Sequence, residues 1–166
     1  MAEFDELCVI LHYDTKQSEQ IIYTMNKELT IEDIQEIVAK DESRYLELKQ
    51  TTGELYKAMT SACAFLNTDG GWVMFGITPK LKIVGQNVTD PTRQEIANAL
   101  RKFEPAIDVP VQYIEIPKKE GFYVIAMYFN PPAPTQAPYT FDARPYYKVE
   151  NTTAIMPREM FEARIR

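Results

Sequence analysis

The sequence predicts an α+β domain in which helices flank a mixed sheet. Three observations predict it. Segments with apolar residues at helical spacing are interleaved along the chain with segments that alternate apolar and polar. One run, Phe122 to Phe129, is apolar on both faces, as a strand in the middle of a sheet is. The chain has 166 residues, 45% hydrophobic and 25% charged, which suits one domain with a proper core.

Residues 1–28 read as an acidic N-terminal extension, with 7–11 suited to a short strand and 18–29 to a helix capped by Ser18. The domain proper spans 29–166. Its first helix follows Thr30, where Asp33 completes a capping box and Ile31, Ile34, Ile37 and Val38 form one apolar stripe. From Tyr45 to Gln50 the chain alternates. Leu46 and Leu48 point one way and Tyr45, Glu47 and Lys49 the other, as in a half-buried strand. Thr51-Thr-Gly-Glu54 reads as a capping box for a helix running to about Leu66, closed by the turn Asn67-Thr-Asp-Gly70-Gly71. A strand over 72–77 follows, with 82–85 as its hairpin partner.

Asp90-Pro91 starts the next helix, with the aspartate as cap and Ile96, Ala99, Leu100 and Phe103 turned inward. Strands over 109–116 and 122–129 flank the turn Pro117-Lys-Lys-Glu-Gly121. Residues 130–145 hold five prolines and form an irregular crossing. A strand over 146–150 and a helix from Pro157 complete the order. That helix has little more than two turns before Arg166, as expected of a domain cut from a longer protein whose C-terminal part follows.

Composition bounds the chemistry. No apolar run approaches the ~20 residues that span a bilayer, so no membrane partner is expected. The N-terminus lacks a secretory pattern, and Cys8 and Cys63 do not make a disulfide framework, so a cytoplasmic location is the default. No phosphate-cradling Gly-rich loop with Lys-Ser/Thr occurs, and the one histidine, His12, offers neither a triad nor a His–Cys metal site. The net charge of −6 is uneven. Residues 1–42 carry 11 acids and 3 bases, a balance of −8, whereas 43–166 carry 13 acids and 15 bases, a balance of +2. The domain proper therefore permits a nucleic-acid partner.

Three constellations can carry chemistry. Glu42, Glu47 and Lys49 place two carboxylates and an ammonium on or beside one strand, a set able to hold Mg²⁺ or Mn²⁺ and steady a phosphodiester. The same residues also suit a solvated strand face with a surface pair worth little. Asn67 with Gly70 and Gly71 can bring backbone N–H groups to a phosphate, or simply end a helix. Asp69 is exposed in this reading and can join the acidic site. Arg144, Tyr147 and Lys148, with Tyr139 and Tyr146 nearby, can stack on and neutralise a nucleic-acid strand, although neighbouring tyrosines on a strand face opposite sides.

Taken in order, Glu42-Ser43 through Glu47-Leu-Lys49, Ala64-Phe-Leu-Asn67-Thr-Asp-Gly70-Gly71, Val73-Met-Phe-Gly76-Ile77 with Ile83-Val84-Gly85, Phe122-Tyr-Val-Ile-Ala, and Pro145-Tyr146-Tyr147-Lys148-Val149 with Asn151-Thr-Thr resemble the Schlafen AlbA_2 domain. The resemblance spans roughly 30–160. It implies an α/β-type fold and a DNA-binding module of bacterial transcriptional-regulator-like proteins. If the domain binds nucleic acid, the constellations above place Lys49, Asn67, Gly70, Gly71, Arg144, Tyr147 and Lys148 near it. Some animal Schlafen proteins are RNA endonucleases that hold a divalent ion with two glutamates and an aspartate. The glutamates correspond to Glu42 and Glu47, but Thr78-Pro79-Lys80 stands where the third acid falls.

The leading expectation is thus a non-catalytic DNA- or RNA-binding domain that needs no cofactor. A metal-dependent nuclease using Glu42, Glu47 and Lys49 with Mg²⁺ or Mn²⁺ is the alternative. A protein-interaction or homo-oligomerising module, docking through residues 1–28, is the third.

Overall fold

The computed structural model describes residues 27–40 and 44–165. In chain order the described elements are α1 (Ile31–Ala39), β1 (Leu46–Lys49), α2 (Leu55–Asn67), β2 (Gly71–Phe75), β3 (Gln86–Asn87), α3 (Asp90–Leu100), β4 (Phe103–Glu104), β5 (Gln112–Glu115), β6 (Phe122–Phe129), β7 (Thr140–Phe141), β8 (Tyr146–Val149), β9 (Thr152–Ile155) and α4 (Arg158–Ile165). The α+β class read from the sequence is the observed one. The expected elements of the N-terminal extension before Lys27 lie outside the described residues.

β6 organises the main sheet, as its two-sided apolar run predicts. On one edge it pairs antiparallel with β2 along residues 125–129 and with β3 along 122–123. On the other edge it pairs antiparallel with β5. β1 lies outside β2 and runs parallel to it. A parallel pair needs a long crossover, and the 13-residue helix α2 supplies it.

The sheet is covered on both faces. Val73, Phe75, Ile125, Met127 and Phe129 pack towards α2 and Ile96 of α3. Leu46, Trp72, Met74, Val124 and Ala126 pack towards Ile34 and Val38 of α1. Alternation along β1 then directs Glu47 and Lys49 to the α2 side. The capping box at Thr30 forms as expected, with Thr30 and Asp33 exchanging bonds of 2.9 and 3.2 Å.

Several boundaries differ from the expectation, each for a local reason. The box at Thr51 does not close. Thr51 accepts from Gly53 N–H, a short 3₁₀ turn (Thr52–Glu54) intervenes, and the Glu54 side chain makes no capping bond. At α3 the cap is Thr89 rather than Asp90, with Thr92 completing the box and Pro91 in the first turn. Phe103 leaves the helix for β4, which pairs with β7 in the proline-rich crossing. Residues 82–85 meet the end of the preceding strand through an Ile77–Ile83 bridge and through the Val84 and Gly85 N–H groups, which both donate to the Gly76 carbonyl, and the chain goes on to pair with β6 as β3. β8 gains a partner, β9, that the sequence reading omits.

The glycine turn after α2 is buried. Gly70 adopts φ +74°, and its N–H donates to Phe65 O at 2.9 Å. A Cβ on Gly71 would stand 2.8 Å from two Phe65 ring carbons and from Tyr45 O. The expected result for Gly71→Ala is a loss of about 1–3 kcal/mol, the usual cost of overpacking, read as a lowered denaturant midpoint.

Candidate functional site

The site lies where β1, α2 and the β8–β9 hairpin meet. Glu47 and Lys49, two positions apart on β1, share a face, and Lys49 Nζ stands 3.0 Å from Glu47 Oε1. Glu54, at the start of α2, approaches the same ammonium at 3.9 Å. From the hairpin comes Lys148, only 7% exposed. Its Nζ donates to Thr153 Oγ1 at 3.1 Å and lies 4.8 Å from the centre of the Phe65 ring. Thr153 Oγ1 in turn meets Ser61 Oγ at 3.2 Å, linking the hairpin to α2.

The hairpin register explains this placement. Lys148 is paired directly with Thr153, so both side chains fall on the face turned to α2. Burial lowers the Lys148 pKa, Glu47 opposes that shift, and the like charge of Lys49 adds to it. The folded protein therefore holds the Lys148 proton less tightly than the unfolded chain does. Charged Lys148 costs stability at neutral pH, and the cost fades as pH rises towards the ordinary lysine range. A buried cation with a net cost is not explained by packing alone.

Other expected site residues lie elsewhere or do different work. Asn67 is 3% exposed; its amide donates to Tyr139 O and Tyr146 O, both at 2.8 Å, and its Oδ1 accepts from Tyr139 N–H at 2.7 Å. Gly70 and Gly71 are buried beneath the same joint. These three residues position the hairpin and the crossing segment, and do not present a surface. Arg144 is exposed in the turn before β8. Tyr147, opposite Ala154, points away from the face that carries Lys148. Asp69, expected to be exposed, is drawn into an ion pair with Arg44 at 2.8 Å. Cys63 is fully buried, and burial pushes its thiol up to about 11, which suits a packing residue.

The metal reading divides between described and undescribed residues. Glu42 lies outside the described residues. Glu47 keeps company with two ammonium groups, a setting that repels a dication. Thr78 closes a tight turn, its carbonyl accepting from Leu81 N–H at 2.9 Å and its hydroxyl from Lys82 N–H at 3.1 Å. Among the described residues, no group of three or more His, Cys, Asp or Glu is placed to hold a metal ion.

Sequence reasoning missed Ser61, Thr153 and Phe65. The missing signal was the turn at Glu150-Asn151, where Glu150 takes φ +55° and sets the Lys148–Thr153 pairing.

The family pattern described as "Schlafen, AlbA_2" matches residues 42–157. The chain belongs to the Schlafen AlbA_2 family. Among solved structures, this AlbA_2 chain is similar to the N-terminal domain of a Nitrosomonas europaea protein described as related to the ATP-dependent DNA helicase RecG. The likeness has a TM-score of 0.54 at 20% identity, and covers 76% of this chain and 90% of that one. It is also similar to the DIP2311 protein of Corynebacterium diphtheriae, with a TM-score of 0.48, 19% identity, and coverage of 75% of this chain and 24% of that one. No curated protein matches it.

Within the AlbA_2 fold, Asn67 holds the hairpin wall of the site. Asn67→Ala leaves the buried Tyr146 carbonyl and the part-buried Tyr139 N–H without their partner, and the Tyr139 carbonyl with the weak Cys63 thiol alone, at about 1–3 kcal/mol for a fully buried group and less for a part-buried one. The expected outcome is a large drop in melting temperature, with early loss of amide-exchange protection in β8 and β9.

Proposed function

We propose that this AlbA_2 domain is a non-catalytic nucleic-acid-binding module of a transcriptional-regulator-like cytoplasmic protein. It takes backbone phosphates of DNA or RNA at Lys49 and Lys148. The observation that carries the reading is the convergence of these two ammonium groups, from distant strands, on one corner between β1, α2 and the hairpin, beside the Thr153 and Ser61 hydroxyls. Lysines and hydroxyls are phosphate donors, and they fix position without reading base identity. Burying Lys148 costs stability, so its presence is better accounted for by a ligand than by the core.

Family membership supports the partner class, and the Nitrosomonas protein, related to a DNA helicase, belongs to a setting of the same kind. Arg144, exposed at the start of the hairpin, extends the positive surface in this reading. Two ammonium groups around Glu47 favour an anion over a divalent cation, which ranks binding above metal-dependent cleavage.

The test is fluorescence anisotropy with single-stranded and duplex DNA and RNA across a salt series. Binding is expected at low salt, with the slope of log affinity against log salt reduced by roughly 0.7–0.9 for each lysine removed. Lys148→Met is expected to weaken binding while leaving the melting temperature unchanged or raised, since an apolar side chain suits the buried position. Absence of binding to every nucleic acid at low salt would overturn the proposal. So would wild-type affinity in Lys148→Met, or Mg²⁺- or Mn²⁺-dependent cleavage that disappears in Glu47→Gln.

A further inference from the structure

Between Asp69 and Asp90 the chain carries no acid, and its only charged residues there are Lys80 and Lys82. Both belong to the turn Thr78-Pro79-Lys80-Leu81-Lys82. Three bonds close it: Thr78 N–H donates to the Lys82 carbonyl at 2.9 Å, Leu81 N–H to the Thr78 carbonyl at 2.9 Å, and Lys82 N–H to the Thr78 hydroxyl at 3.1 Å. Residues 79–82 are all exposed, and Leu81, 38% accessible, stands between the two lysines. Among the described residues, neither ammonium group takes part in an ion pair. Leu81 also takes φ +64°, a left-handed conformation unfavourable for a branched side chain. Exposure alone is ordinary for a leucine; exposure on a strained backbone is not, since a glycine would relieve the strain and no core contact holds the side chain there. The turn opens beside the site already described. Gly76 and Ile77 N–H groups donate to the Lys49 carbonyl at 2.9 and 3.3 Å, so β2 delivers the turn to the end of β1 that carries Lys49.

We infer that this turn is a further contact surface for a single strand of nucleic acid, with Lys80 and Lys82 on backbone phosphates and Leu81 against the face of an unpaired base. The inference rests on the nucleic-acid reading above. Bases in a duplex hide their apolar faces in the stack, and a side chain that reaches them must first unstack a step. In a single strand those faces are open, and a leucine that covers one leaves water as it does so. The lysines on either side neutralise the phosphates that accompany the base. Because the turn is closed by its own hydrogen bonds before any contact, little conformational freedom is lost on binding. The Pro117-Lys118-Lys119-Glu120 turn lies at the same end of the sheet and is equally exposed. Its two lysines have Glu115 and Glu120 beside them and no leucine between them, so it lacks the combination that the turn at Leu81 offers.

The experiment titrates labelled single-stranded and duplex oligonucleotides across a salt series and records the melting temperature of each variant. Leu81→Gly removes the apolar tip and relieves the left-handed strain. It is expected to melt at the wild-type temperature or above, yet to bind the single strand about three- to tenfold more weakly, the scale of one partly buried leucine. A purely structural leucine would show the opposite pattern. Lys80→Gln combined with Lys82→Gln is expected to reduce the single-strand salt slope by roughly 1.4, about 0.7 for each phosphate contact. Lys118→Gln combined with Lys119→Gln removes the same formal charge from the neighbouring turn and is expected to keep the wild-type affinity. If the wild type binds, single-strand affinity unchanged in Leu81→Gly overturns the inference and leaves the nucleic-acid reading standing. An unchanged salt slope in the Lys80 and Lys82 double variant does the same. An equal loss in the Lys118 and Lys119 double variant also overturns it, since general charge would then be at work. Binding to phosphatidylserine–phosphatidylcholine vesicles that Leu81→Gly abolishes, with oligonucleotide affinity untouched, overturns it in favour of a membrane surface. Failure of the wild type and every variant to bind any oligonucleotide removes the nucleic-acid reading itself, and this inference with it.

Discussion

The amide of Asn67 is the joint on which the functional end of this domain depends. At the last position of α2 it bonds to Tyr139 on both backbone sides and to the Tyr146 carbonyl at the start of β8. One side chain therefore fixes the helix, the proline-rich crossing and the hairpin in a common frame. The helix end is secured a second time, because Arg164 of α4 donates to the Asn67 carbonyl at 2.9 Å. A cation at that end also complements the helix dipole. Gly70 and Gly71 belong to the same joint, since side chains there would collide with Pro131 and Phe65.

Set in this frame, the charged cluster shows how a fold accommodates an unfavourable group. Lys148 keeps a hydroxyl partner, an aromatic face and a nearby carboxylate, and together these offset part of its desolvation. The main sheet contributes Glu47 and Lys49 through simple strand alternation. The hairpin contributes Lys148 and Thr153 through its register. Neither half has the complete set of groups, and α2 lies between them with Ser61 and Phe65.

Much of the fold was legible because its signals are local. Two-sided apolarity placed β6 centrally, alternation assigned the faces of β1, and Thr30 with Asp33 marked α1. What was illegible depended on competition or on distant neighbours. Thr89 and Asp90 are both good caps, and the outcome turned on which residue left the helical conformation first. Alternation put Tyr146 and Lys148 on one side of β8, but only packing against α2 decided that this side is buried. The glycine pair was legible as a turn, whereas its crowding by Phe65 and Pro131 belongs to tertiary structure. The same limit made Asn67 and the glycines look like surface groups when they are supports. Tyr147 and Lys148, adjacent in sequence, were grouped together although β8 sends them to opposite faces.

The parallel pair β1–β2 closes over a single helix, so Glu47 and Lys49 sit in a short-range unit. The hairpin that brings Lys148 is joined chiefly to α2, and it does not pair with the main sheet. Opening of that hairpin alone would separate the two lysines while β6 and its partners stay closed. On the proposed reading, such a sub-global opening rather than global unfolding would set the fraction of molecules ready to bind. By mass action, a ligand bridging Lys49 and Lys148 would then act as a clasp between the main sheet and the hairpin.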